Sequence, residues 1–247
     1  MSERGLLADP GRRIRYVMSH TMNRLGVLAA LAAAMTATPL AAQDGQLRVG
    51  AGPVLGRPVG SLDPYLASGY GAAGFVEFGP ASRVLALRVD AGFLRFAPTT
   101  SARPYRGLQP VFITTGSQLF TVVAGPVLRV GLGRLRLSAT AGGGFASSTN
   151  TGAVTGIATP ERFSGATTFG DLTLAYAAGG GLGVRVGRGA APVWLDLSTR
   201  YVGTGPTRWV REGNIPVGYV SGVYLKPTNS PTTMVVYQLS VAVGVTR

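Results

Sequence analysis

Residues 235–246 alternate without a break. Tyr237, Leu239, Val241, Val243 and Val245 take one parity; Gln238, Ser240, Ala242, Gly244 and Thr246 take the other. Successive strand side chains point to opposite faces, so one face here is wholly apolar and the other small or polar. A sheet wetted on one side shows such a pattern in a few strands. In this chain it recurs about eight times, behind an apolar leader. That repetition predicts an all-β fold: an eight-stranded antiparallel up-and-down transmembrane β-barrel with short periplasmic turns and long outer loops.

Composition narrows the environment. Only 13% of the 247 residues are charged and 46% are hydrophobic, whereas about a quarter of an ordinary soluble domain is charged. Beyond the leader no run of about 18 apolar residues occurs, so a helical membrane protein is excluded. The lack of cysteine excludes a disulfide scaffold and thiolate metal sites. The formal charge of +13 raises the question of nucleic acid. However, Lys226 is the one lysine among 23 basic residues, and the arginines are scattered with no nucleic-acid module around them. No nucleic-acid partner and no cofactor are expected.

The N-terminal part divides in two. Residues 1–21 read as an extension, with Met18 or Met22 as the start. Residues 22–43 read as a secretory signal: Arg24 supplies the positive end, residues 25–35 the apolar run, and cleavage is expected near Ala42 or Gln43. The barrel is expected over 44–247.

The apolar parities can be followed strand by strand. Leu47, Val49, Ala51 and Leu55 begin the series. Leu66, Tyr70, Ala72, Val76 and Phe78 come next, then Leu85, Leu87, Val89, Ala91 and Phe93. Phe120 to Val130 and Leu135 to Phe145 repeat the pattern, as do Leu172 to Val186 and Val193 to Tyr201. Each core is about ten residues, the length of a tilted bilayer-crossing strand. Gly- and Pro-containing turns near 79–82, 131–133 and 187–189 alternate with Thr-, Ser- and Pro-rich connections near 97–117, 147–169 and 203–232.

Seven strands place an aromatic about nine to eleven residues from the nearest short turn or terminus. Tyr70, Phe93, Phe120, Phe145, Tyr176, Tyr201 and Tyr237 therefore form an outward girdle at headgroup level. The opposite parity carries Arg48, Glu77, Arg88, Asp90, Arg129, Arg134, Arg136, Arg185, Asp196 and Arg200 among small residues. These are expected to form a charge network filling the narrow lumen of an eight-stranded barrel. Seven arginines against three carboxylates make that lumen positive. Glycine triplets at 142–144 and 179–181 lie inside alternating strands and lack the strand–turn–helix context of a phosphate loop. They are expected to serve close packing and curvature.

With this pattern the chain, over residues 45–247, resembles the small eight-stranded outer-membrane barrels: the OmpA transmembrane domain, OmpX and the OmpW group. The resemblance implies a location in a bacterial outer membrane. It implies outer-membrane lipid and lipopolysaccharide as surroundings, and insertion by the barrel-assembly machinery. That machinery usually reads a terminal aromatic residue, whereas this chain ends Val245-Thr246-Arg247.

Enzymes among such barrels use a histidine that exchanges protons near neutral pH. The single histidine here is His20, in or before the leader, and Glu161 and Glu212 do not form a matched pair. No catalytic or metal residue is expected. The expected role is structural or surface-interacting. Arg103, Arg106, Arg208, Arg211 and Lys226 are candidates for lipid-phosphate contact. Two alternatives stand beside it: a narrow OmpW-like channel whose mouth Phe112, Trp209, Tyr219 and Tyr224 would line, and a soluble lipocalin-like carrier.

Overall fold

The computed structural model describes residues 45–60, 66–80, 84–105, 108–156, 162–187, 192–210 and 227–246. The leader segments 1–21 and 22–43, with His20, lie outside these residues, as do Arg106, Glu161, Arg211, Glu212, Tyr219, Tyr224 and Lys226. Eight strands follow one another: β1 (Gly45–Pro58), β2 (Gly69–Pro80), β3 (Leu85–Tyr105), β4 (Leu108–Leu132), β5 (Leu135–Gly156), β6 (Arg162–Arg185), β7 (Val193–Val210) and β8 (Pro227–Thr246). Each pairs antiparallel with its successor, and β1 pairs with β8 to close the barrel. Closure leaves no unpaired edge in the ring, which is what a sheet surrounded by hydrocarbon needs.

Alternation fixes the faces. Leu87, Leu137, Leu197, Leu239 and Val241 are about half exposed, while Arg48, Glu77, Arg88, Ala175 and Ala242 on the other parity are buried. Directly paired residues share a face, so the outward apolar rows continue from strand to strand: Leu195 stands opposite Val241, and Val49 opposite both Val76 and Val243.

The strand boundaries differ from the sequence expectation on the long-loop side, where β7 and β8 also extend into the expected 203–232 loop as far as Val210 and back to Pro227. Most of 97–117 and 147–169 is strand rather than loop. Thr99 pairs with Thr115, Thr100 with Thr114 and Ser101 with Ile113, and Ser147 to Thr151 run opposite Leu172 to Thr168. Above the apolar band both faces of a sheet can be polar, which removes the alternation that marks a strand in sequence. Leu66 also departs from expectation. It precedes β2 and packs on the interior apolar cluster.

Within each glycine triplet, positions lie close against the backbone of a neighbouring strand. A Cβ at Gly142 or Gly144 would collide with the Ala124 or Val122 carbonyl of β4, and one at Gly179 with the Thr199 carbonyl of β7. Gly144→Val is therefore expected to lower stability by about 1–3 kcal/mol through overpacking against backbone that cannot yield. The urea midpoint of folding into lipid vesicles measures it, and an unchanged midpoint would show that the wall there relaxes freely.

Candidate functional site

The interior is layered along the barrel axis. The layer nearest the short turns is charged. Arg48 Nη1 donates to Glu77 Oε2 at 2.8 Å, and its Nη2 is paired with Asp196. Arg88 Nε and Nη2 both donate to the Asp90 carboxylate, at 2.9 and 2.8 Å, and Nη1 lies 3.6 Å from Glu77 Oε1. Arg200 Nη1 reaches Asp90 Oδ1 at 2.5 Å and Nη2 donates to Gln238 Oε1. Six of the candidates thus form one chain of pairs: Asp196–Arg48–Glu77–Arg88–Asp90–Arg200. Such a network tolerates burial because its charges are mutually compensated and hydrogen-bonded.

Arg129 and Arg136 belong to the same layer. Arg129 is buried, and the Arg136 guanidinium lies 4.0 Å from the centroid of the Trp194 ring. Arg134 and Arg185 do not join the network. Arg134 sits in the β4–β5 turn beside Gly133, whose φ of 65° suits a tight reversal. Arg185 ends β6 and donates from Nε to the Gly187 carbonyl at 3.1 Å. Both are exposed. Their parity points inward, but at a strand end the inward face opens to water.

Sequence reasoning missed Phe75, Trp194 and Gln238. Phe75 supports Arg88 at 3.8 Å and Arg48 at 5.2 Å from its ring centre, a cation–π platform. The space for it comes from Gly50, where a Cβ would strike the Phe75 ring. Gln238 also donates to the Ala73 carbonyl. Inward parity marks all three in the sequence, but nothing there shows which strands meet across the lumen.

The middle layer is apolar, contrary to the uniformly polar lumen expected. Val54, Leu94, Phe96, Leu119, Val123, Val202, Met234 and Val236 pack with small alanines in one buried cluster. At Phe93-Leu94 and Leu119-Phe120 both parities are apolar, with Leu94 and Leu119 in the plug and Phe93 and Phe120 on the outer face. A cavity of about 30 Å³ lies between this cluster and the Asp90–Arg200 pair. It has room for about one or two waters. Above it lies a polar layer. Thr207 and Thr232 hydroxyls meet at 3.2 Å, Asn150 Nδ2 donates to the Arg208 carbonyl, and Ser148 and Ser230 are buried.

Outside, the girdle residues ring the barrel. Tyr70, Phe93, Phe145, Tyr176, Tyr201 and Tyr237 are exposed and Phe120 partly so. Phe93 and Phe120 are direct cross-strand partners, and the Tyr176 and Tyr201 rings lie 6.4 Å apart. On β1 the place is taken by Leu55, which pairs with Tyr70 on one side and Tyr237 on the other. Arg57 and Arg95 are exposed just beyond it, Arg95 directly opposite Tyr70.

Arg208 is engaged within the wall. Its backbone N–H and its Nε each donate to Asp171 at 2.8 Å, on the loop side of the band. Arg103, Phe112 and Trp209 lie in β3, β4 and β7. Partial burial pushes the Asp171 carboxyl up, but the two hydrogen bonds and the charge of Arg208 outweigh this and hold it below the ordinary aspartate value. The clamp is complete above the unfolded-state value and is lost as pH falls through the lower folded value. Arg208 is exposed, so the contribution of the pair is only about 0–1 kcal/mol and is screened by salt. In a carboxyl-carbon NMR titration Asp171 is expected to titrate below the usual range, and to return to it in Arg208→Gln.

Among the described residues no cluster of acidic, histidine or cysteine side chains could hold a metal ion.

A closed eight-stranded wall, apolar outside and charge-packed within, defines a small β-barrel of the outer-membrane type. No protein-family model matches the sequence, and no curated protein matches it. Among solved structures the chain is similar to Ail, the attachment invasion locus protein of Yersinia pestis, with 14% identity and a TM-score of 0.44, over 82% of this chain and 99% of that one. It is similar also to Neisserial surface protein A, with 14% identity and a TM-score of 0.40, over 83% and 98% of the two chains. A major outer membrane protein from Thermus thermophilus matches with 12% identity and a TM-score of 0.46, over 82% and 100%.

Proposed function

We propose that this protein is an integral outer-membrane barrel with a closed lumen and a structural or surface-interaction role, and that it performs no catalysis. The observation that carries the reading is the pairing of a filled interior with an apolar exterior. Side chains occupy the lumen in three successive layers, with a cavity of about 30 Å³ between the apolar cluster and the Asp90–Arg200 pair. An ion would have to displace both the charge network and the apolar plug, which argues against the narrow channel. The half-exposed outward leucines and valines argue against a soluble carrier, whose apolar residues would line an internal ligand cavity.

The aromatic belt supports residence at a membrane interface. Arg57 and Arg95, exposed beyond that belt, suit phosphate groups of outer-leaflet lipopolysaccharide, because arginine binds phosphate through paired N–H donors. Insertion would proceed through the barrel-assembly machinery despite the terminal Val245-Thr246-Arg247.

Protein from isolated outer membranes, run unboiled and boiled on a denaturing gel, tests the reading. A heat-dependent mobility shift in that fraction is expected, together with no reproducible single-channel steps in planar bilayers. A soluble periplasmic protein without a shift would favour the carrier, and regular conductance steps would favour the channel.

A further inference from the structure

We propose that the outer face of β1–β3 holds one lipid A molecule, with a phosphate gripped between Arg57, Ser68 and Arg95. This rests on the outer-membrane reading above, and narrows a general affinity for headgroups to a single site with one occupant.

The ladders bring the three residues together. Gly56 pairs with Gly69, and Cβ atoms at those two glycines would meet Leu94 and Phe96 of the interior cluster. The residues next to them, Arg57 on β1 and Ser68 just before β2, therefore point outward, and both are exposed. Arg95 of β3 stands opposite Tyr70, whose ring marks the headgroup level. Neighbouring strands lie about 4.8 Å apart and each residue rises about 3.4 Å, so the backbones of Arg57 and Arg95 are roughly 12 Å apart. Two arginine stems reaching toward each other over so short a span converge on one phosphate, with the Ser68 hydroxyl between them.

The charge of this face is unanswered. Among the described residues neither arginine has a carboxylate partner: Glu77, Asp90 and Asp196 are paired within the lumen, and Asp171 with Arg208. The charge is also confined to one side. Two residues beyond the belt, β4 and β5 carry Gln118 and Ser147, while β6, β7 and β8 carry Leu174, Gly203 and Val235. Leu172 and Leu174 are 75% and 69% exposed. A general attraction to anionic lipid would be served by cations spread round the ring. Two of them flanking one hydroxyl describe a bound molecule. Directly below, Leu55, Tyr70 and Phe93 are exposed and continue the lipid-facing band. The ligand therefore joins a phosphate to acyl chains, and in the outer leaflet that is lipid A.

The full chain, purified from outer membranes in mild detergent, is weighed by native mass spectrometry. One adduct bearing lipid A is expected per barrel. Arg57→Gln/Arg95→Gln is expected to lose it while keeping the heat-dependent gel shift. Arg134→Gln/Arg185→Gln removes the same charge at the short-turn mouth and is expected to keep the adduct. On the refolded barrel, lipid A is expected to bind at least tenfold more tightly than its dephosphorylated form. Inorganic phosphate at the same concentration is expected not to displace it. A phospholipid adduct, survival of the adduct in the Arg57/Arg95 variant, or equal loss in both double variants would overturn the site. So would equal affinity for the dephosphorylated lipid, or displacement by inorganic phosphate. A chain found outside the outer membrane without a gel shift would remove the membrane reading, and the site with it. Should the Arg57/Arg95 variant fail to fold, the comparison of the two lipids on the unaltered chain decides.

Discussion

Replacing Glu77 with alanine is expected to destabilise the barrel by about 3–5 kcal/mol, the cost of leaving buried charge uncompensated. Glu77 has no exposed surface, accepts from Arg48 and faces Arg88. Its loss removes the carboxylate shared by the two guanidinium groups that pack on Phe75. Arg48 keeps Asp196 and Arg88 keeps Asp90, so the chain of pairs is cut at its centre. Glu77→Gln keeps an acceptor oxygen while losing the charge, so it is expected to fall between the native protein and the alanine variant. Glu77→Leu combined with Arg48→Leu removes one whole pair, but it leaves Asp196 without its partner and recovers only part of the loss. The urea midpoint of folding into lipid vesicles, followed by the heat-shift gel, ranks these variants. If Glu77→Ala lies within half a kilocalorie per mole of the native barrel, the network fills space without contributing energetically.

Val241→Arg is expected to cost about 2–4 kcal/mol, because an arginine near the bilayer midplane must be desolvated or drag water inward. Val241 is about half exposed and pairs with Ala51 and Leu195 on the outer face. Depth provides the control. Leu55 sits at belt height between Tyr70 and Tyr237, where the same substitution is expected to cost about 0–1 kcal/mol. In a water-soluble barrel both side chains would face solvent, and neither change would move the midpoint. Equal, negligible effects at Val241 and Leu55 would therefore remove the membrane assignment altogether.

Much of the architecture was legible in the chain because a strand writes its two faces in alternate letters. Leu137 and Ser138, or Leu239 and Ser240, declare which side meets hydrocarbon without reference to any neighbour. The polar extensions of β3 to β6 were not legible. At Thr99-Thr100 and Thr114-Thr115 successive residues are equally polar, and a strand there has no period to show. The charge network was legible by parity and misjudged at its ends. Arg134 and Arg185 have the right parity, but their axial position leaves them in solvent.

Sequence alone determined the barrel class, the outward face of each strand and the belt at one height, since these depend on local periodicity and on distance from the nearest turn. Only the tertiary structure decided which inward residues meet. Asp196 lies far along the chain from Arg48, yet ring closure brings the two together beside Glu77. The same closure places Leu94, Leu119 and Met234 in one apolar plug, and Arg136 against Trp194. Cross-lumen contact depends on the stagger of the ladders and the narrowness of the ring. Those are properties of eight strands together and are written in none of them singly.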